Sequence, residues 1–171
     1  KKMYHVAVMP CTAKKFEAAR DEFKRDGVPN VDTVISTQEL IRMIKESGIM
    51  FADLEPEAVD MPFGTVSGAG VIFGVTGGVT EAVLRRVVSN KSRSALLSIA
   101  NMGQRGMEGI KEFNISVGEQ TLHIAVVSGL HNAETIIKRM AAGEKFDFIE
   151  VMACPGGCIC GGGQPFAMID D

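Results

Sequence analysis

The 171-residue sequence lacks tryptophan, has one tyrosine, and contains no apolar run of the roughly 20 residues that a membrane-spanning helix needs. It also lacks a basic excess, because 18 Lys and Arg stand against 21 Asp and Glu, giving a formal net charge of −3. We therefore predict no nucleic-acid partner and no membrane span. The opening residues show no secretory cleavage pattern, which favours a cytoplasmic protein.

Four cysteines are the chemically most informative residues of the sequence, in which 46% of all residues are hydrophobic and 23% are charged. This composition predicts a globular chain with its own core, of a length that fits one domain. Without an export signal, cysteines are kept as free thiols by the reducing compartment. The four cysteines therefore favour bound metal over a framework of disulfides.

Apolar runs alternate with helical patterns along the chain. Ser36 and Glu39 have the spacing of a capping box before a helix, and Gly118-Glu119 is typical of a hairpin turn. We predict an α/β fold with an open, mainly parallel four-stranded sheet flanked by helices, a hairpin and a long ordered loop over residues 48–70. The predicted strands are Tyr4–Met9, Val31–Ile35, Leu122–Val127 and Phe146–Met152. The predicted helices cover about 14–25, the LIRMIKES segment at 40–47, 80–88 and 131–142.

Two of the predicted strands end in cysteine motifs, MPCTAKKFE from Met9 to Glu17 and EVMACPGGCICGGGQP from Glu150 to Pro165. In each motif a cysteine follows a methionine by two residues. The carboxyl ends of parallel strands share one edge of a sheet, so we expect the two motifs to converge. Three cysteines within seven residues, among glycines that can adopt positive φ, favour ligation of a metal or an iron–sulfur cluster.

Simpler interpretations of these residues remain open. Zinc sites commonly repeat a C-x2-4-C knuckle on both sides, whereas the first motif contributes Cys11 alone, which also fits a buried reduced thiol. Lys14 and Glu17 would be neighbours on a helix, either beside a cluster or as an ordinary surface ion pair. None of the three histidines has the spacing of a metal ligand.

The two cysteine motifs resemble the second and third cluster-binding signatures of the iron-only hydrogenases, and FGTVSGAGVIFGVTGGVTEAVLR resembles the segment between them. In that family four cysteines hold a 4Fe-4S cluster, and one of them also bridges to a di-iron centre with carbon monoxide, cyanide and dithiolate ligands. By motif position, Cys11 and Cys154 resemble ligands of the 4Fe-4S cluster. Cys158 resembles the cysteine that bridges to the di-iron centre.

The resemblance also assigns roles to side chains near these cysteines. Lys14 resembles the residue that donates a hydrogen bond to a cyanide, and Glu17 resembles its partner. Met9 and Met152 resemble the apolar walls beside the di-iron centre. Phe73-Gly74 resembles the lining of the carbon monoxide pocket.

The implied reaction is the reversible conversion of two protons and two electrons to dihydrogen. The family's first signature is absent, so we expect residues 1–171 to be the C-terminal half of a hydrogenase catalytic domain, truncated at both ends. The missing N-terminal part would be its partner, with ferredoxin or NAD(P)-linked subunits as electron carriers. By itself the piece is expected to be inactive and to lack the clusters. Cys160 stands at a position where the family would have a residue other than cysteine. Two alternative identities are a sensory or assembly-related relative of the hydrogenases and a simple iron–sulfur binding module.

Overall fold

A computed structural model of the chain describes residues 3–60, 67–88 and 109–166. The chain divides into two compact units, here called unit 1 (Lys1–Val59 with Cys160–Asp171) and unit 2 (Asp60–Ile159). The boundary falls inside the second cysteine motif, so that the end of this motif belongs to the same unit as the first. None of the helices in the described ranges combines the length and the hydrophobicity that spanning a bilayer requires.

Unit 1 contains two parallel strands and a capped helix. Its elements are β1 (Val6–Met9), α1 (Ala13–Ala19), β2 (Lys24–Arg25), β3 (Val28–Pro29), β4 (Thr33–Ser36) and α2 (Thr37–Glu46). Strands β1 and β4 pair in parallel, with Met9 opposite Ser36. Helix α2 begins with the predicted capping box: the Glu39 amide donates to Ser36 Oγ at 3.2 Å, and the Ser36 amide donates to Glu39 Oε2 at 2.7 Å.

The helix predicted over residues 14–25 is shorter than expected. It ends at Ala19, because Arg20 adopts an extended conformation with φ −69° and ψ 147°. Asp26 and Gly27 then take positive φ angles of 52° and 74° and turn β2 back onto β3. An Asp-Gly pair in this conformation is a preferred two-residue hairpin turn, which the helical spacing of the preceding residues concealed.

Unit 2 is built on a three-stranded sheet. Its elements are α3 (Gly68–Ile72), α4 (Gly78–Val87), β5 (Ile110–Val117), β6 (Gln120–Ser128), α5 (Leu130–Ala141) and β7 (Phe148–Met152). The strand order is β5-β6-β7. Strands β5 and β6 form the predicted hairpin, in which Gly118 has a φ of 63°. Strand β7 lies parallel to β6 on its other side.

The predicted α/β class is confirmed, but the single four-stranded sheet is not. The four predicted strands form two parallel pairs, β1 with β4 in unit 1 and β6 with β7 in unit 2. Because β5 occupies the second edge of β6, that strand has no free edge for a further partner. Apolar periodicity predicts which segments are strands, but it carries no information about which strands pair.

The buried apolar core of the described residues lies in unit 2. Leu84 of α4 packs with Ile124 of β6, and Ile136 of α5 packs with the opposite face of the same strand; the fully buried hydrophobic residues are Leu84, Ile124, Ala125, Val126, Val127 and Ile136. Of the long loop predicted over 48–70, residues 61–66 lie outside the described ranges. The described part contains a short 3-10 turn at Phe51–Asp53 and the start of α3.

Candidate functional site

The first cysteine motif occupies the carboxyl end of β1. Pro10 ends the strand, Cys11 follows it, and α1 begins two residues later at Ala13. The Cys11 thiol is half-buried and forms no disulfide. The chain thus presents this thiol between a strand end and a helix start, the place where α/β proteins commonly bind ligands.

Lys14 and Glu17 form the ion pair that their spacing predicts. Lys14 Nζ donates to Glu17 Oε2 at 2.6 Å, and each side chain is 42% exposed. Together with Met9, both residues line a cavity of about 150 Å³ in unit 1. Three predicted site residues are therefore brought to one cavity, whose remaining lining is mostly apolar.

The glycine run at the end of the second motif packs against the first motif within unit 1. The Gly163 amide donates to the Pro10 carbonyl at 2.9 Å, and the Gln38 amide donates to the Gly163 carbonyl at 3.0 Å. A Cβ at Gly163 would lie 2.9 Å from the Pro10 carbonyl carbon and 3.0 Å from the Cys11 nitrogen. The predicted convergence of the two motifs is confirmed for this part, and it requires a residue without a side chain.

The second motif leaves the carboxyl end of β7 in unit 2. The Gly129 amide donates to the Met152 carbonyl at 2.8 Å, and the Gly156 amide donates to Ser128 Oγ at 3.3 Å. The Gly157 amide donates to the Cys154 carbonyl at 3.0 Å and closes a tight turn after the first cysteine. The end of β6 and its following turn therefore hold the beginning of the cysteine loop.

Glycine conformation shapes the loop between Cys154 and Cys158. Gly156 and Gly157 have φ angles of 86° and 101°, in the region that only glycine adopts readily, as predicted. A Cβ at Gly157 would lie 2.5 Å from the Gly74 carbonyl oxygen and 2.6 Å from the Thr76 nitrogen. The loop consequently approaches the backbone of residues 74–76 too closely for any side chain.

The segment that resembles the carbon monoxide pocket lies against this same loop. The Ile159 amide donates to the Gly74 carbonyl at 2.9 Å, and the Thr76 amide donates to the Gly156 carbonyl at 3.1 Å. A Cβ at Gly74 would lie 2.8 Å from Ile159 Cγ2. The Thr76 hydroxyl is buried without a hydrogen-bond partner in the described part of the chain. Gly74 is thus placed beside the cysteine loop, whereas the neighbouring Phe73 is 45% exposed.

One buried carboxylate beside the loop was not predicted from the sequence. Glu150 of β7 is 5% exposed and accepts hydrogen bonds from Gly77 and Thr80 at the start of α4. A signal was available, because Glu150 is a lone acidic residue inside an apolar parallel strand that ends at a cysteine motif.

A second group of potential metal ligands lies in unit 2. Glu112, His123 and Glu144 converge, but Arg139 sits among them, with Nη2 donating to Glu112 Oε2 at 2.8 Å and Nε to Glu144 Oε2 at 2.7 Å. The hydrogen bond from Arg139 lowers the pKa of Glu112 and of Glu144, and these bonds raise the pKa of the guanidinium. The group is therefore an ion-pair network in which arginine already supplies the cation.

Known proteins that are similar to this chain include hydrogenases, as the resemblance of the two cysteine motifs predicts. The family model described as "Iron only hydrogenase large subunit, C-terminal domain" matches residues 1–162. The chain is 50% identical over 165 residues to the NADP-reducing hydrogenase subunit HndD of Solidesulfovibrio fructosivorans, covering 96% of this chain and 28% of that protein. It is 33% identical over 172 residues to the cytosolic iron-sulfur assembly component 3 of Pongo abelii, covering 95% of this chain and 36% of that protein.

A solved structure gives the same result. A variant of the [FeFe]-hydrogenase HydA1 from Chlamydomonas reinhardtii matches with a TM-score of 0.70 and 37% identity, over 98% of this chain and 50% of that one. The chain thus spans half or less of the length of these relatives. The match to the family model over nearly all its residues shows that the chain belongs to the family formed by the C-terminal domains of iron-only hydrogenase large subunits.

Proposed function

We propose that this chain is part of the catalytic subunit of an iron-only hydrogenase, which interconverts dihydrogen with two protons and two electrons. The strongest support for the proposal is the 50% identity to a hydrogenase subunit over 96% of the chain, a stretch that includes both cysteine motifs. Each motif directly follows a strand that pairs in parallel with a neighbour in its own unit, β1 in unit 1 and β7 in unit 2, which also supports the proposal.

The residues present fit a 4Fe-4S cluster joined to a di-iron centre. All four cysteines are free thiols, and iron–sulfur clusters are held by thiolates. The glycines of the second motif let the loop pack closely on neighbouring backbone at Gly157 and Gly163, which holds the cysteines between these two contacts in a defined loop. By motif position, Cys11 and Cys154 would hold the 4Fe-4S cluster, and Cys158 would both hold it and bridge to the di-iron centre. When bound, the clusters supply the hydrogen-binding iron and store the electrons.

Lys14 and Glu17 would orient an anionic ligand of the di-iron centre. The Lys14 ammonium donates to Glu17 at 2.6 Å, and an ammonium carries further N–H donors for a second acceptor. A cyanide ligand is such an acceptor. Glu17 would therefore hold the lysine in one rotamer, so that little side-chain entropy is lost when the ligand binds.

Apolar side chains would exclude water from the reacting metal. Met9 lines the cavity beside Lys14, and Met152 ends the strand that leads to the second motif. Thioether side chains are apolar and adaptable, so they can close around diatomic ligands without donating hydrogen bonds. Phe73 and Gly74, which precede the backbone contact with the cysteine loop, would form the wall near carbon monoxide.

The activity would belong to a longer protein. The relatives are longer than the chain, and the fourth thiolate ligand that the family uses would come from the missing N-terminal part of the domain. We expect residues 1–171 alone to carry no complete cluster and to be inactive. The name of the first relative supports an NADP-linked electron partner, with ferredoxin as the alternative, and a cytoplasmic location stays a prediction.

A second candidate is a role in iron–sulfur cluster assembly or sensing without hydrogen turnover. The 33% identity to a cytosolic iron-sulfur assembly component supports it. This identity is lower than the 50% identity to the hydrogenase subunit, which favours the hydrogenase. The intact Lys14–Glu17 pair also favours it, because the lysine can donate a hydrogen bond to a cyanide ligand. The two candidates differ in one measurable respect, which is turnover of hydrogen by the cluster-loaded protein.

The test measures methyl-viologen-linked hydrogen evolution by the full-length protein, purified anaerobically after cluster maturation. We expect turnover, a loss of about 10- to 100-fold for Lys14→Met, and a change of less than about twofold for Lys15→Met. Lys15 is a matched control because it is the next residue and pairs with Glu39 at 2.7 Å on the surface. A fully loaded protein that evolves no hydrogen would refute the hydrogenase proposal and favour assembly or sensing.

A further inference from the structure

Glu150 connects the strand before the second cysteine motif to the start of helix α4. Its Oε1 accepts from the Gly77 amide at 2.6 Å. Its Oε2 accepts from the Thr80 amide at 2.7 Å and from Thr80 Oγ1 at 2.6 Å. The carboxylate is 5% exposed, and all of these donors are buried with it. A buried carboxylate is retained at low cost only where such donors compensate for its lost hydration.

The start of α4 suits a negative charge. Gly77 is the N-cap residue with a φ of 86°, and it has no side chain that could cap the helix itself. The free N–H groups and the dipole of a helix N-terminus favour a carboxylate. Glu150 of β7 therefore replaces the capping side chain that Gly77 lacks. Because these bonds reach residues 77 and 80, they fix the backbone that immediately precedes the helix.

The backbone of residues 74–76, just before the helix, is also the segment on which the cysteine loop packs. Thr76 donates to Gly156, Gly74 accepts from Ile159, and Gly157 packs directly on both residues. Glu150 itself lies four residues before Cys154 on the strand that delivers the loop. One side chain therefore ties together the strand entering the loop and the segment against which the loop packs.

We propose that Glu150 is a positioning residue, which sets the distance between the Gly74–Thr76 backbone and the Cys154–Cys158 loop. The inference rests on the proposed function, in which Cys154 and Cys158 bind the clusters and Gly74 lies near their diatomic ligands. The effect on the clusters is indirect, through the backbone, because the carboxylate bonds to Gly77 and Thr80. A helix cap without this role would stabilise α4 and leave the loop unchanged.

The first experiment measures amide hydrogen exchange in the metal-free full-length protein, comparing Glu150→Gln with Glu112→Gln. Glutamine keeps the shape but turns an N–H₂ toward one of the donors, whereas Glu112→Gln disturbs the Arg139 ion pairs elsewhere in unit 2. We expect exchange at Thr76 and Ile159 to rise about 10- to 100-fold in Glu150→Gln and not in the control. A rise confined to α4, or equal throughout unit 2, would overturn the proposal.

A milder pair of variants guards against a Glu150→Gln protein that does not fold. Thr80→Val removes the hydroxyl donor and keeps the amide, and Thr80→Ser keeps both donors. We expect Thr80→Val to accelerate exchange at Thr76 and Ile159 about tenfold, with Thr80→Ser close to the wild type. Equal behaviour of the two Thr80 variants at these amides would contradict the proposal.

The second experiment records the infrared bands of the carbon monoxide and cyanide ligands in the loaded protein. We expect Glu150→Gln to shift them, because a displaced loop changes the surroundings of the ligands, and Glu112→Gln to leave them in place. Unshifted bands at full loading would overturn the positioning role. Absence of the bands from the wild type would instead refute the proposed function, while the exchange experiment on metal-free protein still decides what Glu150 holds.

Discussion

Units 1 and 2 distribute burial and polar chemistry differently. Every fully buried hydrophobic residue of the described chain lies in unit 2, where both faces of β6 are covered. Unit 1 leaves large apolar side chains exposed, among them Tyr4, Phe16, Met50 and Phe51. Unit 1 also carries the Lys14–Glu17 pair and its cavity, whereas unit 2 carries the constrained cysteine loop. We therefore expect unit 2 to be the more stable unit, while unit 1 carries the Lys14–Glu17 ion pair.

The largest expected effect concerns two thiols on either side of the unit boundary, Cys158 and Cys160. In the full-length protein we expect Cys158→Ser to abolish hydrogen turnover and remove the di-iron centre, because a serine hydroxyl is a poor ligand for iron at neutral pH. Cys160→Ser should retain most iron and activity. Iron content and hydrogen evolution of both variants are the measurements. Equal losses would show that Cys160 also ligates or relays protons.

The difference in burial predicts unequal stability effects of one substitution. Leu84 of unit 2 is 1% exposed and Leu54 of unit 1 is 56% exposed. We expect Leu84→Ala to cost about 2–5 kcal/mol because it leaves a cavity, and Leu54→Ala to cost less than about 0.5 kcal/mol. Urea unfolding followed by hydrogen exchange reports each unit separately. A comparable cost at both positions would mean that Leu54 is covered in the full-length protein.

The smallest effect is a pH dependence that is local to the start of α2 in unit 1. The hydrogen bonds from Lys15 and from the Ser36 amide lower the pKa of Glu39 from 4.5 to about 2. Because its folded pKa is depressed, Glu39 stabilises the fold above pH 4.5, and this contribution is lost as pH falls toward about 2. Exchange at α2, compared between about pH 5 and pH 3, should depend on pH less in Glu39→Gln than in the wild type.

Glu46→Gln is the matched control, at the other end of the same helix in the exposed pair with Arg42. It should keep the wild-type dependence on pH. An identical response of the two variants would remove the capping box from the explanation. The Glu112–Arg139 pair lowers the pKa of Glu112 in the same direction, so unit 2 should also lose stability in acid, independently of Glu39.

The sequence predicted the local elements well and their pairing poorly. The capping box at Ser36 and the hairpin at Gly118 were predictable because the residues that specify them are adjacent in sequence. The separation into two sheets depends on which edge each strand finds, and periodicity does not encode that choice. The helix end at Ala19 was missed because the Asp26-Gly27 turn lies several residues further on.

Contacts within the site could be predicted where both interacting residues lie in one short motif. Lys14 and Glu17 are three residues apart, and their ion pair follows from helical spacing. The contacts of Glu150 with Gly77 and Thr80 span 73 and 70 residues of sequence, and no local pattern links those positions. The ligand roles of the cysteines were assigned through resemblance to the family, and they stay predictions.

Cys11 and Cys154 are proposed to bind one 4Fe-4S cluster, and the comparison of Cys11→Ala with Cys154→Ala shows whether both thiols are needed for it. Iron, acid-labile sulfide and the electron paramagnetic resonance of the reduced cluster are measured in the full-length protein, with Cys160→Ala as the control. We expect either variant to lose the same cluster signal and the control to keep it. Retention of the full signal in Cys11→Ala or in Cys154→Ala would contradict the claim.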